Sequence, residues 1–207
     1  MTRHRAPWTF HRDEGGWVVA VAPTERAVLL DVVDEVVELL GGAATHEQHA
    51  ARAALHPLDA VTLEPLPVPA PVDPALRRLL PDASPDAEVA AEFRRLSEAD
   101  VRATKLANLA RLRAALVGAR GEAVVVPSEA AHVAAALTDL RLVISERLGV
   151  RTDEDAEEVY RVAVAPTRHD PEPRRLLAAV YAVLTQLQES LVGLMLDDLP
   201  GDVRPPD

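Results

Sequence analysis

The chain contains no cysteine. Disulfides, thiolate nucleophiles, cysteine-ligated zinc and thiol redox switching are excluded with it. Aromatic residues are only 3% of the 207 positions, so the core has to be aliphatic, built from Leu, Val and Ala. Lys105 is the only lysine, Asn108 the only asparagine and Ile144 the only isoleucine, while arginine takes the other cationic positions. This usage is that of a GC-rich codon table and points to a high-GC bacterium. No apolar run approaches 18 residues, and no apolar stretch follows the charges of Met1 to Gly16. Neither a signal peptide nor a membrane span is expected, which makes the cytoplasm the expected compartment. No G-x-S-x-G, P-loop or G-x-G-x-x-G pattern occurs.

What is present suits one globular domain over residues 1–207. Hydrophobic residues are 48% and charged residues 27% of the chain. The net charge of −11 repels phosphate backbones and anionic lipid over most of the surface. Residues 8–21 read as a β-hairpin: Trp8 and Phe10 alternate with polar neighbours, Asp13 to Gly16 is turn chemistry, and Trp17 to Val21 is a second apolar run. Glu122 to Val126 is β-branched and adds a possible third strand.

Helices account for most of the remainder. Thr24 is the expected cap of a helix to Leu40, with Leu30, Val33, Val37 and Leu40 on its inner face. Asp73-Pro74 and Ser84-Pro85 each join a capping residue to proline at the first helical position. Ser97 and Asp100 suggest a bend or restart in the helix that then runs to Val117. Ser128 is expected to cap a helix to Leu148 with Val133, Leu137, Leu140, Ile144 and Leu148 inward. Thr152 caps a short acidic helix, and Asp170-Pro171 opens the last one. There Leu177, Val180, Leu184, Leu187, Leu191 and Leu194 step by three and four, a seam read first as monomer packing and second as a dimer contact. The fold class is thus mainly α, a bundle-like set of helices with a small antiparallel sheet. Residues 41–72, rich in Ala and alternate Pro, read as a surface linker with room for a short helix near Glu47 to Leu55, and 200–207 as a frayed tail.

Chemistry is scarce. His46, His49 and His56 share a face if helical, but His46-Glu47-Gln48-His49 lacks the i, i+4 histidine spacing of a zincin, so they are read as linker histidines and no metal is expected. His132 is read as a surface or half-buried side chain, not a base. Ser84, Ser97 and Ser128 serve as caps, and no cofactor is expected. The segment Glu92 to Arg113 carries six cations against three anions. Arg94, Glu98, Arg102 and Lys105 fall on one helical stripe. With Arg95, these cations are the candidate partner-binding residues, for an acidic protein surface or, alternatively, for nucleic acid. Phe93 is expected in the core, which removes the stacking aromatic that single-strand binding wants.

Three segments in order, DPALRRLLP at residues 73–81, EFRRLSEADVRATKLANL at 92–109 and LTDLRLVISERLG at 137–149, resemble the DUF2017 family, a domain of unknown function in actinobacteria. The resemblance spans most of residues 8–198, apart from the linker. It implies no catalytic residues; Asp139, Arg141 and Arg147 are motif residues without an assigned role. Some relatives are described as oxidative-stress regulators of transcription that sense through a cysteine pair, and this cysteine-free chain has no means of doing that. The expected function is a cytoplasmic, non-enzymatic regulatory or adaptor protein acting by protein contacts, monomeric or homodimeric. A DNA-binding regulator is the alternative, and an enzyme with an unrecognised polar pocket the next.

Overall fold

A computed structural model describes residues 7–41, 69–118 and 121–199. The linker histidines, the short helix considered near Glu47 and the 200–207 tail lie outside these residues. The hairpin forms from β1 (His11–Asp13) and β2 (Gly16–Ala20), and β3 (Glu122–Val125) pairs antiparallel with β2 to give the order β1-β2-β3. Gly16 makes the turn possible. Its φ is +139°, and a Cβ there would lie 2.7 Å from the Val125 carbonyl oxygen.

The described helices are α1 (Pro23–Leu39), α2 (Pro74–Leu79), α3 (Ala87–Val117), α4 (Ala130–Leu148), α5 (Asp153–Val164) and α6 (Glu172–Asp197). Their starts are chemically explicit. Asp73 accepts from Ala75 N at 2.7 Å, and Thr152 and Asp155 form a reciprocal capping box. Three expected caps move. Pro23 occupies the first position of α1, and Glu25 reaches back to Ala22 N at 2.9 Å in place of a Thr24 cap. Asp86, which accepts from both Glu88 N and Val89 N, displaces Ser84. Before α4 a 3₁₀ turn over Pro127–Glu129 takes the place of a Ser128 cap. Nor does α3 restart at Ser97, whose hydroxyl donates to the Phe93 carbonyl while the helix continues.

One hydrophobic cluster joins sheet and helices. Phe10, Val19, Leu112, Leu137 and Leu187 surround a single point where the sheet meets α3, α4 and α6. The inner face of α4 is the expected one, and α4 packs against α6, α3 and α2. The α6 seam is also internal: Val180, Leu184, Leu187 and Leu191 are buried within the single chain. The inner face of α1 is rotated from expectation, with Leu29, Val32, Val33 and Val36 buried and Leu30 and Val37 only partly covered. By length and composition α6 could cross a bilayer. A helix packed into a globular core passes the same test, and this one uses its leucine seam there.

Candidate functional site

The helix α3 changes character along its length. From Asn108 onward it behaves as core, with Leu109, Leu112 and Leu116 buried. From Ala87 to Ala107 the only buried residue is Ala90. The stripe Arg94, Glu98, Arg102, Lys105 is present, but it faces inward. The side chains of Arg94, Arg102 and Lys105 are only 11%, 19% and 20% exposed. Arg94 pairs with Asp82 on the loop before α3. Arg102 pairs with Glu98 at 2.8 Å and also donates to the Leu40 carbonyl at the end of α1, 3.0 Å away. A cation at a helix C-terminus meets the negative end of the helix dipole as well. Lys105 Nζ donates to Asp139 Oδ1 of α4 at 2.6 Å. Arg95 makes a two-pronged contact with Glu92, which holds that carboxyl below its usual range.

The opposite face of this segment is apolar. Val89, Phe93 and Leu96, spaced i, i+4, i+7, are 55%, 52% and 59% exposed. Phe93 therefore stands outside the core, contrary to the expectation from sequence. A soluble helix ordinarily turns its apolar stripe to the core and its charges to water. The first half of α3 does the reverse, anchored through charges and open to solvent through large apolar side chains.

The family-motif residues of α4 explain where the anchors end. Asp139 is buried against Lys105, and burial pushes its carboxyl pKa up, with the Lys105 hydrogen bond opposing that shift. Arg141 donates to Gln188 Oε1 of α6 at 2.7 Å and lies 5.4 Å from the Tyr181 ring centroid, while Gln188 donates onward to Thr138. Arg147 reaches the α2 cap residue Asp73 at 2.7 Å. Each motif residue thus ties α4 to a different helix. Sequence reading placed Lys105 on a docking strip and Asp139 among residues without a role; the structure makes them partners. It gave no role to Val89 and Leu96 and placed Phe93 in the core, although their i, i+4, i+7 spacing was available as a signal.

Beside the Lys105–Asp139 pair lies an open cleft of about 480 Å³, lined by Asp100, Val101, Thr104, Lys105, Asn108 and residues of α4. Asn108 is buried, and its Oδ1 is 3.0 Å from Nδ1 of the surface residue His132. The sole lysine and the sole asparagine therefore border the same cleft. Among the described residues no group of three or more His, Asp or Glu is placed to hold a metal ion.

Residues 4–195 match the model of DUF2017, described as a domain of unknown function. The chain belongs to the DUF2017 family. Comparison with curated proteins and with solved structures returns no match. The DUF2017 match reaches from the segment before the hairpin through the α6 seam, so it takes in α3, α4 and the ties between them.

Proposed function

We propose that this DUF2017 chain is a non-enzymatic regulatory or adaptor protein of the cytoplasm that acts by protein contacts, and that the outer face of the first half of α3 is its docking surface. The observation that carries this reading is the inverted polarity of residues 87–107. Three large apolar side chains stand in water on a helix segment whose cations Arg94, Arg102 and Lys105 are directed inward. Large apolar side chains exposed along one helix face are a mark of protein interaction sites. The partner that suits it presents an apolar groove or helix face able to receive Val89, Phe93 and Leu96. In this reading Arg94, Arg102 and Lys105 position the segment, and Arg95 with Glu92 forms the polar rim. The setting we propose for it is stress response or transcription control.

The test is a photo-crosslinking amino acid placed at Phe93 or Leu96, compared with one at Tyr160, which is equally exposed on α5. The expected result is one protein species captured from both α3 positions and not from Tyr160, with purified partner then binding wild type and not Phe93→Ser/Leu96→Ser. Equal, diffuse capture from all three positions would remove the reading.

A further inference from the structure

A second surface of the molecule has a charge imbalance that its own residues leave unfilled. Between α2, α4 and the segment leading into α5 lies a cleft of about 410 Å³, lined by Pro74, Arg77, Arg78, Pro81, Glu146 and Arg151. Its lining carries three guanidiniums and one carboxylate, a local balance of +2 on a chain whose net charge is −11. Both Arg78 and Arg151 converge on Glu146. Arg78 Nε donates at 2.9 Å, and the two terminal nitrogens of Arg151 donate to the two carboxylate oxygens at 2.5 Å each. Those contacts, Arg151 first, hold the Glu146 carboxyl at a pKa of about 2. The nearby Asp155 accepts from the backbone N–H groups of Arg151 and Thr152. Counting it still leaves the cleft positive by one charge. The adjoining Arg147 is paired with Asp73, and Glu35 also acts on it from α1.

Arg77 has capacity to spare. Its Nε donates to the Pro71 carbonyl, and its terminal nitrogens make no hydrogen bond among the described residues. A guanidinium has five N–H donors in a planar fork that matches carboxylate and phosphate oxygens. Glu146 already shows that the geometry of this cleft receives an oxyanion in that way. At physiological salt the remote negative charges are screened beyond ~8 Å, so the local excess decides what is attracted.

Arg78 also donates from one terminal nitrogen to the Val150 carbonyl at 3.2 Å. We infer that this cleft binds a small oxyanion, a phosphate group or a carboxylate of a small molecule, through Arg77 together with the N–H groups of Arg78 and Arg151 that Glu146 and Val150 leave unused. This site is independent of the α3 docking face. Either can fail without the other.

The experiment titrates inorganic phosphate and citrate separately into the full chain by calorimetry, with ionic strength held constant by sodium chloride. Saturable one-to-one binding of at least one of them is expected. The stronger of the two identifies a phosphate-bearing or a carboxylate-bearing ligand as the class. Arg77→Gln lies on the exposed side of α2, and we expect it to weaken binding at least tenfold with an unchanged Tm. Arg113→Gln, which removes another exposed arginine, paired with Asp34, is expected to leave binding as it is. Arg151→Lys keeps the charge but loses the fork, and should weaken binding to a smaller extent than Arg77→Gln. The inference is overturned if neither anion saturates beyond chloride at matched ionic strength, or if Arg77→Gln and Arg113→Gln lose affinity equally.

Discussion

The two halves of α3 belong to one unbroken helix and are held by different physics. Residues 108–117 are fixed as core residues are, by burying leucines against β3, α1 and α4. Residues 87–107 are fixed by ion pairs to Asp82 and Asp139 and by a hydrogen bond from Arg102, itself braced by Glu98, to the end of α1. Apolar burial of a leucine contributes roughly 1.5–3 kcal/mol and does not depend on direction. Partly exposed ion pairs contribute ~0–1 kcal/mol each, but they fix orientation. The second half therefore supplies stability, and the first is oriented at low cost with its large side chains left free. This difference shows how a helix can be both scaffold and presenting surface.

The contrast can be broken most severely in the buried half. Leu109→Ala should lower unfolding free energy by about 2–5 kcal/mol, measured by chemical denaturation, and Leu184→Ala in the α6 seam should cost about as much. Should Leu184→Ala instead halve the mass by light scattering and leave folding intact, the seam would be a dimer contact. Next in size is the tie that links the halves to α4. Asp139→Ala should cost about 2–3 kcal/mol, more than the pair itself contributes because it leaves the largely covered Lys105 ammonium unpaired, and less than for a fully buried pair because Lys105 keeps some contact with water. Its expected second effect is faster amide exchange in residues 87–107 than in 108–117.

Acid sharpens the same division between polar ties and apolar core. Glu146 and Asp170 both have folded pKa values of about 2, lowered from 4.5 and 3.8. Arg151 and Arg78 lower the first, and Thr167 with Arg161 the second. Their stabilisation is complete above the ordinary carboxylate range and is lost as pH falls towards 2. Asp139 runs the other way. Its folded pKa is raised by burial, so its contribution favours the fold below the ordinary range and declines as pH rises through the folded value. Denaturation midpoints should therefore fall between pH 5 and 2, and Glu146→Gln should flatten that fall. The smallest effect on stability is expected on the open face, where Phe93→Ser and Leu96→Ser should each change it by less than about 0.5 kcal/mol.

Much of the architecture was legible because periodicity reports burial. The faces of α4 and α6 follow directly from leucine and valine spacing, and the hairpin from the alternation around Asp13 to Gly16. Caps were less legible, since several candidates stand side by side: Asp86 won over Ser84 by offering a carboxylate to two amides. The stripe of Arg94, Glu98, Arg102 and Lys105 was found in the sequence, but not its direction. Charged stripes face water by default, and only the tertiary partners Asp82, Asp139 and the Leu40 carbonyl turn this one inward. Phe93 was misplaced for the same reason, because an aromatic residue on an amphipathic helix is assigned to the core unless the charges are known to occupy that side. The pairing of Lys105 with Asp139, 34 positions away, had no local signal beyond lysine being used once.

The most direct test of α3 as a split helix measures stability and partner capture together on Phe93→Ser/Leu96→Ser. We expect a Tm within a degree or two of wild type, since surface changes of this kind cost little, together with loss of the protein captured through the α3 face. A large drop in Tm would place these side chains in the core, and unchanged capture with unchanged Tm would show that the working surface lies elsewhere.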